Sequence, residues 1–123
     1  MKHLIAAMLL TVGLASPALA QSNTPQPMQD CSVTLTTGGT SQTILAANPN
    51  RHYLFIENPS ATVSGVSAES LFLNSDAAAA SDGKSIELAN VTSKEFTFPG
   101  YVPTGDVRVN AATTAHKIIC KWN

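Results

Sequence analysis

Two cysteines, Cys31 and Cys120, hold the most specific chemistry in this 123-residue chain. A reactive thiol needs a neighbouring His, a helix start or a CxxC partner to favour the thiolate, and a structural zinc site needs four clustered ligands. Neither cysteine has such a neighbour in the sequence. Lying near opposite ends of the exported chain read below, they pair most simply as one disulfide, the form that persists in oxidising compartments. Closing a loop of about 90 residues stabilises the fold by roughly 4 to 5 kcal/mol in the chain-entropy picture.

Other residues could in principle do more. His52 and His116 would form a two-histidine metal site if the ends of their strands met beside Glu57 or Asp106, but no spacing signature supports that. The run Gly65, Val66, Ser67, Ala68 lacks the second glycine of a nucleophile elbow. Asp76, Asp82 and Glu87 could pair for glycoside chemistry, yet at this density they read as solubilising loop charges. Asn90, Val91 and Thr92 match a glycosylation acceptor and read as an unmodified turn. Tyr101 lies between Pro99 and Pro103, so a stiff loop carries an aromatic ring that suits contact with a protein or a carbohydrate.

These side chains need a scaffold, and the first twenty residues say where it works. Lys2 and His3 precede an apolar run over 4–14 that ends at Ala18, Leu19, Ala20, which is the pattern of a signal peptide cleaved before Gln21. The run is too short to span a bilayer, so no membrane span is expected and the location is periplasmic or extracellular. Cleavage removes Lys2 from the seven basic residues and leaves six against eight acids, which excludes a basic surface for nucleic acid. Residues 21–30, with Pro25 and Pro27, read as a flexible leader, and 31–123 as one domain.

Within that domain, short runs of β-branched and aromatic residues alternate with Gly, Pro, Asn and Ser clusters. Strands are expected over 31–36, 42–46, 52–58, 71–73, 85–88, 95–98, 107–109 and 117–122, with an irregular strand over 63–67. The loop over 77–84 is, like Tyr101, a candidate contact point. Period-2 alternation places Cys31 with Val33 and Leu35, and Cys120 with Ile118 and Trp122, so both sulfurs should face one core, as neighbours or across facing sheets. Phe96 and Phe98 should share a face. The expectation is an all-β, single antiparallel β-sandwich or barrel, jelly-roll-like, with about seven or eight short strands and one disulfide joining the first and last.

The segments 44–60 (ILAANPNRHYLFIENPS) and 96–105 (FTFPGYVPTG) resemble a group of small β-sandwich proteins common in bacteriophage genomes, over about residues 42–122. The resemblance implies a β-sandwich, in a group whose role is virion-associated or unknown, and carries over no catalytic residue. The signal peptide and the disulfide depart from that group, because components assembled in the bacterial cytoplasm need neither. In physical terms Asn48, Pro49 and Pro59 bracket one core strand, and Arg51 caps carbonyls at its start.

The functional expectation is an exported, non-enzymatic structural or interaction module of phage-like type, without cofactor or metal, able to self-associate through an edge strand. The alternative is a monomeric periplasmic or secreted domain that binds a ligand or inhibits a partner.

Overall fold

The computed structural model describes residues 26–123. The signal peptide over 1–20 and the first half of the leader lie outside the described residues. Nine strands and one helical turn follow one another: β1 (Gln29–Asp30), β2 (Val33–Thr34), β3 (Gln42–Leu45), β4 (Tyr53–Asn58), α1 (Ala61–Ser64), β5 (Leu71–Ser75), β6 (Ile86–Leu88), β7 (Thr92–Thr97), β8 (Val107–Ala111) and β9 (Lys117–Trp122).

All pairings are antiparallel, in two sheets. One has the order β1-β9-β4-β7, with β2 continuing β1 along β9, and the other the order β3-β8-β5-β6. With β1 and β2 counted as one interrupted strand, eight strands pair first with last, second with seventh, third with sixth and fourth with fifth. A long hairpin rolled up on itself has that pairing, and it is the jelly-roll form of the sandwich. Strand pairing starts two residues ahead of Cys31, at Gln29.

Alternation builds the core between the sheets. In β4, Leu54, Ile56 and Asn58 are buried, while Tyr53, Phe55 and Glu57 lie half-buried on the outer face. The register sets Leu54 opposite Phe96 and Trp122, and Ile56 opposite Cys120, so the inward residues of three strands meet Leu71, Leu73, Val107 and Val109 from the second sheet. Burial of these side chains at about 25 cal/mol per Å² drives the closure.

Cys31 and Cys120 are bonded, with Cα atoms 4.8 Å apart. Of the two arrangements open to them, they are neighbours in one sheet. Cys31 N donates to Cys120 O at 3.0 Å, and the hydroxyl of Ser32 replaces the next rung by accepting from Cys120 N at 3.1 Å. In place of the expected 31–36 strand, pairing runs over 29–30 and 33–34, interrupted at Cys31 and Ser32 without a shift of register, since Asp30 faces Lys121 and Val33 faces Ile118.

Three local expectations are corrected. Residues 61–64 form a single helical turn in place of a strand over 63–67. Ser60 O accepts from Ser64 N at 2.8 Å, and Gly65 closes the turn at φ 80, a conformation glycine adopts without steric penalty. Phe98 does not share the buried face of Phe96: β7 ends at Thr97, and Phe98 turns outward with 69 % of its surface exposed. Val33 sits at the sheet edge and is exposed, leaving Leu35 as the inward residue there. No helix among the described residues is long and apolar enough to cross a membrane.

Candidate ligand groove

Tyr101 stands on the connection between β7 and β8, and the chain fixes that connection from beneath. Arg51, buried to 3 % exposure just ahead of β4, donates through Nη1 to the carbonyls of Pro103 and Gly105 and through Nη2 to Ala46 O at 2.7 Å. Burial pushes the guanidinium pKa down, against the pull of Asp106 and Asp76. The carbonyl bonds supply what water no longer does. Asn48 N donates to Thr104 O at 2.7 Å, and Asp106 Oδ1 accepts from Ala47 N at 3.0 Å. The Asp76 carboxylate fills the space beside Gly105, so a Cβ there would push that side chain aside. Arg51 therefore bonds carbonyls of the flanking loops and not those expected at the start of β4, and it clamps the loop that carries Tyr101.

On this loop Tyr101 is 69 % exposed, its ring edge-on to Phe96 with centroids 6.4 Å apart and its hydroxyl 3.4 Å from Ser75 Oγ. Beside it opens a groove of about 180 Å³ between the two sheets. Its floor is Leu73, Phe96 and Val107, and its walls include Ile86 and Pro103. Asn74, Ser75 and Lys84 supply the polar side. The Lys94 ammonium lies 5.5 Å from the centroid of the Phe96 ring, so a second cation borders the same floor. Phe98, next along the rim, packs against His52 with ring centroids 5.5 Å apart. An apolar floor, a rigid aromatic and a few polar groups make a place to hold a small ligand.

The other candidates are placed differently. His52 and His116 lie at opposite ends of the β4–β9 pair, because Leu54 faces Trp122 and Glu57 faces Ile119. His116 is buried between Glu69 and Asn58: Nδ1 is 2.7 Å from Glu69 Oε1 and Nε2 is 2.9 Å from Asn58 Oδ1. Asn58 Nδ2 donates to Glu69 O and Leu88 O, which turns its oxygen toward the ring. Thr113 donates to Glu69 through both its amide and its hydroxyl. Burial pushes the Glu69 carboxyl up, but the bonds from His116 and Thr113 outweigh it and hold its pKa below the ordinary value. Both ring nitrogens of His116 are occupied, so neither is free to take a proton from a substrate.

Ser67 is exposed in the loop after α1. Asp76 lies over Gly105 and Asp82 accepts from Lys84 N at 3.0 Å, while Glu87, expected in a loop, stands in β6 and accepts from Ser70 Oγ, so each of the three acids has a different partner. Among the described residues no group of three His, Cys, Asp or Glu side chains could hold a metal ion.

Sequence reading found Tyr101 and the loop that ends at Lys84, and missed Lys94, Asn74 and Ser75. Parity offered one signal, since Lys94 lies two residues before inward Phe96 and had to be an inward charge on its strand. The same reasoning would have joined Asn58 to His116, both at inward positions of neighbouring strands.

Comparison with protein-family models, with curated proteins and with solved structures gives no match for this chain.

Proposed function

We propose that this chain is an exported, non-enzymatic interaction module of phage-like ancestry that binds a ligand through the Tyr101 groove. The observation that carries the reading is the exposure of Tyr101 on a loop immobilised by Arg51. A protein ordinarily buries such a ring, and a rigid one in contact with solvent loses little entropy on binding. The signal-peptide pattern and the disulfide support export. Jelly rolls also build lectin and viral capsid domains, an analogy of fold alone.

Ligand binding is favoured over self-association through strand edges. The edge strand β7 carries Lys94 on its inward side and β6 is only three residues long, both of which make poor templates for an added strand.

The test is a titration of the mature domain, followed by amide NMR shifts, with panels of sugars and short peptides. Shifts centred on Tyr101, Ile86 and Ser75 that disappear in Tyr101→Ala support the reading. Silence across both panels, or undiminished binding by Tyr101→Ala, overturns it. Export is checked by fractionation and N-terminal sequencing, which should find a mature chain starting at Gln21 outside the cytoplasm; a full-length cytoplasmic chain would refute it.

A further inference from the structure

Given the groove reading above, on which this rests, we infer that the ligand is an acidic sugar, a pyranose ring bearing a carboxylate. Three observations converge on that chemistry.

The first is charge. Lys84 is the only ionisable cation lining the groove, Lys94 borders its floor at Phe96, and the lining contains no carboxylate. The acids nearest in the chain are engaged or turned away. Asp76 lies against Gly105, Asp106 accepts from Ala47 N and pairs with Arg108, Asp82 accepts from Lys84 N, Glu87 is bonded to Ser70, and Glu95 lies on the outer face of β7 opposite Phe55. Neither lysine forms an ion pair among the described residues. Two ammonium groups beside an acid-free lining favour an anion, and ammonium–carboxylate bonds are the stronger, charge-assisted kind.

The second is shape. A volume of about 180 Å³ admits one ring and its substituents, not a folded surface or a long side chain with its backbone. The blunted edges of β6 and β7 deny an extended peptide the main-chain bonds that strand addition requires.

The third is the mixture of surfaces. A pyranose has an apolar C–H face and an equatorial belt of hydroxyls. The exposed ring of Tyr101 matches the face, and Ser75, Asn74 and the Tyr101 hydroxyl match the belt. A simple inorganic anion would use the lysines and leave the aromatic without a role. Cation contact with the Phe96 face leaves the Lys94 N–H donors available for the carboxylate.

Matched probes decide it: glucuronate against glucose, galacturonate against galactose, and acetate as the carboxylate alone, each titrated into the mature domain with amide shifts read at Tyr101, Lys84 and Ile86. The expected result is saturable shifts with at least one uronate, weakened by salt, and roughly tenfold weaker binding for the neutral partner. Lys84→Gln and Lys94→Gln, both at exposed positions, should each weaken uronate binding by about tenfold while leaving the circular dichroism spectrum unchanged. Equal binding of the neutral sugar, or of a peptide in place of any sugar, overturns the acidic-sugar inference and leaves the groove reading standing. Acetate binding as tightly as the uronates overturns it too. Silence of every probe, peptides included, removes both.

Discussion

The two polar constellations of this sandwich, one around His116 and one around Tyr101, are built to opposite rules. At His116, Glu69 and Asn58 the polar groups are turned toward one another: each ring nitrogen faces an oxygen, Asn58 uses both its amide hydrogens, and Glu69 accepts on both oxygens. At Tyr101 an aromatic ring is left in solvent, two lysines lack counter-ions among the described residues, and a groove stays unfilled by the protein's own side chains. A saturated buried network stabilises one fold and has nothing left to offer a ligand. Unsaturated groups on a rigid support do the reverse, so the contrast separates polar residues spent on the fold from polar residues left open to solvent.

The comparison can be broken first at the covalent end of the stable region. Replacing both cysteines by serine should lower stability by roughly 4 kcal/mol in denaturant unfolding while the native state, where populated, keeps its groove. Next, His116→Ala should cost about 3 kcal/mol, because it leaves the buried Asn58 oxygen unpaired and opens a cavity. Tyr101→Ala should by contrast change stability by less than about 0.5 kcal/mol and abolish ligand shifts. Comparable losses of stability in these two variants would erase the distinction between the regions.

Acid sharpens it further. The Glu69 carboxyl is held below its ordinary pKa in the folded state, so its contribution is fully present above the unfolded value, near 4.3, and is lost as pH falls through the lower folded value. Asp30 behaves in the same direction, held well below the carboxylate range by hydrogen bonds from Ser32 and by Lys121. Thermal unfolding should therefore drop progressively from pH about 5 toward pH about 2, and Glu69→Gln should flatten part of that slope. The smallest effect is expected from Lys94→Gln, which should leave stability unchanged within about 0.5 kcal/mol and register only in uronate affinity.

How much of this could be read from residues alone depended on where the information resides. Strands β4, β8 and β9 announce themselves because one face is buried and the period-2 pattern records it, and the parity of Cys31 and Cys120 placed both sulfurs in one core. The first half of β7 has the sequence Thr92, Ser93, Lys94, an edge strand exposed on both faces, and so carries no apolar alternation to detect. The turn over Ala61–Ser64 is too short for helical periodicity. The groove was illegible for a different reason. Its residues come from β5, β6, β7, the start of β8 and the loops before β6 and β8, and only the rolling of the hairpin brings them together.

The staple between Cys31 and Cys120 lies at the open end of that rolled hairpin, close to both ends of the folded domain, with 89 positions of sequence between the two sulfurs. Tension applied to the chain ends runs through the sulfur–sulfur link and bypasses everything inside the loop, the groove included. Mechanically the domain behaves as a short inextensible bead on a string: force can strip the few flanking residues from β9 but cannot draw out the body while the link is intact. A chain tethered at one end and loaded at the other would keep its folded body in shape under pull, and would surrender it only after chemical reduction.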